Sequence, residues 1–191
     1  MRNIILLLNV TPDGYCDHRS VIADEELHLY ANDVVKRSDT MLFGRNTYQL
    51  FESYWPQVAE KGGATPAENE FAHLVNDIHK VVVSTTLEQA GWKNTTLVKD
   101  NVAAAIAALK QQPGKDIVMP GSPGLAASLA QWEMIDEYRF LVQPMLAGHG
   151  KRLFSADVFT VNRPLVLVHY KHFDSGVVAL SYRPETAAMK E

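Results

Sequence analysis

Residues 4–8 (Ile-Ile-Leu-Leu-Leu) are continuously apolar. Residues 3–10 therefore read as a strand buried on both faces in the middle of a sheet, since a strand with one wet face would alternate. Pro12 and the Asp13-Gly14 pair break the run, leaving a loop through Ser20 that can fold over a pocket. The spacing then becomes helical. Leu27, Tyr30, Ala31, Val34 and Val35 recur behind Asp24-Glu25-Glu26, acids placed where a helix dipole favours them. A strand follows at Thr40-Met41-Leu42-Phe43, and Gly44-Arg45-Asn46-Thr47-Tyr48 opens a further helix ending in the aromatic patch Phe51, Tyr54, Trp55 and Pro56. The polar residues 57–70, with Gly62-Gly63 and Pro66, predict a long surface loop or lid, overlapping a helix over 67–75. Residues 80–86 predict a third strand, 95–99 a short fourth, and 102–111 an alanine-rich helix stopped by Pro113-Gly114.

Residues 116–154 organise the rest. The apolar Ile117-Val118-Met119 breaks at Pro120-Gly121-Ser122-Pro123-Gly124 and resumes as the helix-favouring Leu125-Ala126-Ala127-Ser128-Leu129-Ala130, a strand, tight turn and helix. Residues 135–144 then alternate as a strand, and Gly148-His149-Gly150 precedes Leu153-Phe154. Residues 165–173 and 177–183, joined by Asp174-Ser175-Gly176, predict a closing hairpin. The order of elements predicts an α/β fold with a mainly parallel sheet, an antiparallel end, and ligands at the carboxyl ends of the strands. Gly44, Ser84 and Gly121 all stand at such ends, so one pocket could collect them.

Composition adds exclusions. One domain over residues 1–191 is expected from 191 residues without a Pro/Ser/Gly-rich linker. Apolar content of 47% and charged content of 21% are ordinary for a globular protein. A net charge of −4 without a Lys/Arg cluster argues against a nucleic-acid partner. The N-terminal apolar run is too short for a membrane span or signal segment. Cys16 is the sole cysteine, which excludes an internal disulfide and a CxxC pair and fits a cytoplasmic location. No spacing of His, Asp and Glu suggests a metal site, and His169 and His172 differ in strand parity. A Gly-x-Ser-x-Gly elbow is also missing.

The glycine turn admits two readings. Glycine lets backbone approach a ligand, and free helix N–H groups suit phosphate. Yet Gly-x-x-Gly is neither a Rossmann fingerprint nor a Walker loop, and an ordinary turn uses the same residues. Arg45 offers a forked, permanently charged donor and Thr47 a hydroxyl beside helix N–H groups; an exposed structural arginine fits equally. Ser84 and Thr85 end a strand in hydroxyls, which also suits a turn or helix cap.

Met134-Ile135-Asp136-Glu137, the run from Gln143 to Gly150, and Leu153-Phe154 resemble the helix-to-strand passage of the dihydrofolate-reductase-like superfamily. The branch they resemble is the reductase domain of bacterial riboflavin biosynthesis and its stand-alone relatives, the RibD C-terminal family. Asp13-Gly14-Tyr15 and Gly44-Arg45-Asn46-Thr47 resemble two more of its elements, in the expected order. The resemblance implies an NADPH-dependent reductase acting on a small pterin-, pyrimidine- or flavin-like substrate, on a three-layer fold that commonly forms homodimers. It implies cofactor contacts at Val10, Gly14, Gly44, Arg45, Asn46, Thr47, Ser84, Thr85, Gly121, Ser122, Pro123, Gly124 and Leu125, with Lys99 as a further reach toward a ribose phosphate. Tyr54 and Trp55 become candidates for stacking on a flat ring, beside the plainer reading that they are core.

One position departs from the superfamily. Dihydrofolate reductases carry a first-helix carboxylate that assists protonation; counting back from Gly44 puts His28 there, with Asp24 one turn earlier. His28 is a candidate proton donor or a solvent-facing helix residue, and Asp24 a candidate acid or a helix cap. The chain also holds no zinc-deaminase motif. Two other readings stand beside the reductase: a non-catalytic NADP- or flavin-binding module, and an interaction protein that keeps the scaffold for self-association.

Overall fold

The computed structural model describes residues 1–154, 158–159 and 161–185. In chain order the elements are β1 (Ile4–Val10), α1 (Glu25–Lys36), β2 (Ser38–Gly44), α2 (Arg45–Lys61), α3 (Pro66–Asp77), β3 (His79–Val83), β4 (Thr95–Val98), α4 (Val102–Gln111), β5 (Asp116–Pro120), α5 (Pro123–Gln131), β6 (Glu137–Val142), β7 (Leu165–His172) and β8 (Val178–Pro184). The strands make one sheet in the order β4-β3-β2-β5-β1-β6-β8-β7. β4 through β6 are parallel, and β8 and β7 close the sheet antiparallel. The expected α/β class and antiparallel ending are both present.

The apolar run of β1 lies between β5 and β6, and its parity divides the molecule. Ile5 and Leu7 join Met41, Phe43, Val82 and Val118 beneath α1, α2 and α3. Ile4, Leu6 and Leu8 face the other way, joining Leu42, Val81, Ile117 and Met119 beneath α4 and α5. Both faces of the middle strands are thus sealed, which is why they read as unbroken apolar runs. Each fully buried Leu or Phe, such as Leu6, Leu42 and Phe43, contributes about 1.5–3 kcal/mol of transfer free energy.

The loop expected over residues 57–70 is a correction. α2 passes through Pro56 and runs to Lys61, ending where Gly62 takes a φ of 92° and donates to the Val58 carbonyl. Gln57 and Glu60 are polar because they lie on the exposed side of a helix whose Val58 is buried. Pro66 opens α3, the position proline tolerates. Thr65 accepts from the Glu68 amide while the Glu68 carboxylate accepts from Ala64, a capping arrangement visible in the sequence as Thr-x-x-Glu. At the other end of the chain, β8 extends one residue past Arg183, and residues 186–191 lie outside the described residues. No helix among the described residues is long and apolar enough to cross a membrane.

Candidate active site

Because β2 and β5 are neighbours, their two strand-to-helix junctions lie side by side. The Gly44 amide donates to the Ser122 hydroxyl at 2.8 Å, and the Ser122 amide donates to the Thr47 hydroxyl at 3.1 Å. A third strand joins them, for the Gly121 amide donates to the Leu7 carbonyl at 2.8 Å. Gly121 has a φ of 75°, a conformation that favours glycine. Ser122 is also left-handed, at φ 61° and ψ 59°, which a serine adopts only when its surroundings hold it there.

Over this joint lies a cleft of about 460 Å³. The first junction supplies Gly44, Arg45, Asn46 and Thr47; the end of β3 supplies Ser84 and Thr85; the second junction supplies Ser122, Gly124 and Leu125. The structure therefore brings together nine of the residues singled out in sequence. Thr86, Ser128 and Lys151 line it as well. Lys151 belongs to a segment distant in sequence, and no local pattern announces it. Arg45 reaches across to the Thr86 hydroxyl at 2.5 Å and to the Asn46 side-chain oxygen at 3.3 Å. The Ser84 hydroxyl is engaged by the amides of Thr86 and Leu87, so it shapes the turn.

Among the described residues the lining includes two cations and no carboxylate. Moreover, α2 and α5 begin without a side-chain cap and without acids in the first turn. α1 and α3 contrast with them: Asp24 and Thr65 cap those helices, and Glu25, Glu26 and Glu68 stand in their first turns. Helix ends of the α2 and α5 kind leave N–H groups and positive potential available to an anion.

The remaining candidates lie elsewhere. Val10 ends β1, Gly14 sits in the following loop with a φ of 85°, and Lys99 is exposed beyond β4. Gly121 and Pro123 shape the α5 junction without lining the cleft. Asp24 caps α1, accepting from the Leu27 amide at 2.8 Å. His28 is half-buried, and its Nδ1 donates to the Asp24 carbonyl at 2.9 Å. The His28 ring lies 6.1 Å from Trp55 and 6.0 Å from Phe71, while Trp55 packs edge-on to Phe71 at 4.7 Å. The exposed Tyr54 donates to the buried Glu68 at 2.8 Å. That bond is the largest influence holding the Glu68 carboxyl below its ordinary pKa, and the nearby His28 adds to it. His28, Tyr54 and Trp55 thus form one aromatic cluster where α1, α2 and α3 meet.

A loop joins this region to the glycine-rich segment after β6. Asp13 accepts from the amides of Ala147 and Gly148 at 3.2 and 2.7 Å. Hydrogen bonding, chiefly from the Thr11 hydroxyl and then from the Gly148 amide, holds its carboxyl at about 2. Arg152 stacks 4.7 Å from the centre of the Tyr15 ring. The Cys16 amide and thiol both reach the Lys151 carbonyl, and burial pushes that thiol up to about 11. The buried Gln143 ties the same region to the sheet, donating to Asn9 and accepting from the Ile22 amide.

A family model for the RibD C-terminal domain matches residues 2–179. The chain belongs to this family. As a RibD C-terminal domain protein it is 31% identical to the Bacillus subtilis (strain 168) protein YyaP over 186 residues, covering 95% of this chain and 94% of that one. Its fold is similar to a putative riboflavin biosynthesis protein from Shewanella sp. PV-4, with a TM-score of 0.71 at 18% identity over 97% of this chain and 100% of the other. It is also similar to a diaminohydroxyphosphoribosylaminopyrimidine deaminase/5-amino-6-(5-phosphoribosylamino)uracil reductase from Thermotoga maritima, with a TM-score of 0.66 at 15% identity. That likeness covers 96% of this chain and 57% of the other. An Enterococcus faecalis dihydrofolate reductase complexed with NADP(H) has a TM-score of 0.58 at 11% identity, over 96% and 97% of the two chains. The dihydrofolate-reductase-like fold is thereby established.

Proposed function

We propose that this protein is an NADPH-dependent reductase that passes hydride to a small flat heterocycle of the pterin, pyrimidine or flavin type, or to a related substrate. The charge of the cleft carries this reading. Arg45 and Lys151 face it, no carboxylate among the described residues lines it, and two uncapped helices open onto it, in a chain whose net charge is −4. Such an arrangement suits a ligand bearing several phosphates. Arg45 with Thr85 and Thr86 would hold the ribose phosphate, and the first amides of α2 with those of Gly124 and Leu125 in α5 the pyrophosphate. Two of the similar folds support the choice by name, one being a 5-amino-6-(5-phosphoribosylamino)uracil reductase fused to a deaminase and the other a dihydrofolate reductase complexed with NADP(H).

NADPH, when bound, supplies the hydride. The protein binds and orients it, and a proton must come from elsewhere. His28 is the group we assign to that step. A carbonyl can only accept, so the Asp24 contact fixes the Nδ1–H tautomer and leaves Nε2 to exchange the proton. Trp55 and Tyr54 beside it offer aromatic surface for a planar substrate. We also propose that the protein pairs with a second copy through β7, an edge strand exposing Leu165, Leu167, Val168 and Tyr170.

Fluorescence titration with NADPH and NADH tests the cofactor assignment. The wild type should bind NADPH saturably and more tightly than NADH. Arg45→Ala should lose about tenfold or more on NADPH, the range of a charge-assisted hydrogen bond, and little on NADH. Failure to bind either nucleotide would refute the assignment. Tight NADPH binding without oxidation by pterins, pyrimidines, flavins or carbonyl compounds would favour the non-catalytic NADP- or flavin-binding module.

A further inference from the structure

Lys151 is unaccounted for by the two junctions that build the cleft. It comes from the segment after β6, and its Nζ lies 3.8 Å from the point where a Cβ on Gly124 would stand, beside the first turn of α5. Among the described residues it has neither an ion pair nor a side-chain hydrogen bond, whereas the buried Lys110 is paired with Asp136. Lys151 is exposed, so its charge is hydrated and available. Arg45 lies on the other side of the cleft, against Thr86 beyond β3. The two cations therefore address different parts of an elongated ligand.

The backbone of Lys151 is held from the opposite direction. Its carbonyl accepts from the Cys16 amide at 2.8 Å and from the Cys16 thiol at 3.2 Å. Tyr15 and Arg152 form an antiparallel bridge, and the Asp13 carboxylate grips the amides of Ala147 and Gly148. Loop residues 13–16 and segment 147–152 thus form one hydrogen-bonded unit. Its side facing α5 presents Lys151.

We propose that Lys151 is a cofactor-binding residue that neutralises the pyrophosphate at the start of α5, and that the loop containing Asp13, Tyr15 and Cys16 positions it. The inference rests on the dinucleotide reading above. A lysine acts as a compact point charge on phosphate, without the bidentate geometry of arginine. It also divides the work of recognition. Arg45 discriminates NADPH from NADH by the ribose phosphate, whereas Lys151 supports both nucleotides equally because both carry the pyrophosphate.

Titrations of Lys151→Ala, Lys151→Arg, Asp13→Ala and Arg45→Ala with NADPH, NADH and reduced nicotinamide riboside, which carries no phosphate, test this. Lys151→Ala should weaken NADPH and NADH by the same factor, about tenfold, leave the riboside unchanged, and be largely rescued by Lys151→Arg. Asp13→Ala, a change outside the cleft, should reproduce part of that loss, and the double variant should lose less than the product of the two. An unchanged NADPH affinity in Lys151→Ala, with Arg45→Ala impaired, would overturn the role of Lys151 while leaving the cofactor reading intact. Strictly multiplicative losses in the Asp13 and Lys151 double variant would overturn the positioning by the loop. A wild type that binds neither dinucleotide would overturn both readings together. Because Lys151 is exposed, its variants should melt with the wild type, and circular dichroism checks that the comparison is between folded proteins.

Discussion

Ser122 joins the two halves of the cleft, and two substitutions there separate its two contributions. In Ser122→Ala the hydroxyl that accepts from Gly44 at 2.8 Å is gone, while the left-handed backbone at φ 61° remains. The Gly44 amide is partly buried, so leaving it without an acceptor costs about 1–2 kcal/mol. In Ser122→Gly the same bond is lost, but the penalty of about 1–2 kcal/mol for a side chain in this conformation disappears. Glycine's greater freedom in the unfolded chain returns some of that gain. The expectation is that Ser122→Ala is destabilised by about 1–2 kcal/mol and that Ser122→Gly lies within about 1 kcal/mol of wild type. Urea denaturation at neutral pH, with unchanged slope m, measures both. For a chain of this length each kcal/mol corresponds to roughly 2–4 °C in melting temperature. Both variants lose one of the two hydrogen bonds that join the junctions, the Ser122 amide still donating to Thr47, so NADPH affinity should fall in both whatever their stability. A Ser122→Ala protein as stable as wild type, or one no less stable than Ser122→Gly, would refute the reasoning.

Two further expectations concern the ends of the sheet. The buried Lys80 donates to the carbonyls of Asn76, Ile78 and Lys93 and lies 4.4 Å from the centre of the Trp92 ring, yet burial pulls its pKa down from 10.5 to about 8. Between those values the unfolded chain keeps a proton that the folded chain has released, so this residue makes stability rise with pH from about 8 toward 10.5. Urea denaturation from pH 8 to 10 should show that rise in wild type relative to Lys80→Met; parallel curves would contradict it. At the other edge, light scattering should give wild type about twice the chain mass of 21.3 kDa, and the Leu167→Glu, Tyr170→Glu double variant a single mass. A monomeric wild type, or a variant that still pairs, would remove β7 as the seam.

Most of the scaffold was legible in the sequence because its signals are local. The unbroken apolar run of β1 requires a strand sealed on both faces, and the chain places it between β5 and β6. The Gly121-Ser122 turn marks its strand-to-helix junction by the left-handed backbone it requires, whereas Gly44, extended at φ −85° and ψ 160°, marks the other by standing between an apolar run and a helical pattern. Residues 57–70 misled because a polar helix face and a loop share a composition; the buried Val58 and the Thr65 and Glu68 cap settle the matter only when burial and partners are known. Glu68 could have been noticed as the fourth member of a Thr-x-x-Glu cap, but its bond to Tyr54 depends on how α2 packs against α3.

By itself, then, the sequence determined the α/β class, the antiparallel ending and the junctions from which a phosphate site can be built. Each of these follows from periodicity or from backbone preferences within a few residues. Tertiary structure alone decided that β2 and β5 are neighbours, that Gly44 donates to Ser122, and that Arg45 and Lys151 share one cleft. Those relations join positions as many as 106 residues apart, Arg45 to Lys151. No local preference encodes such a distance. Strand order does, and it is selected by the burial of both faces of the sheet at once.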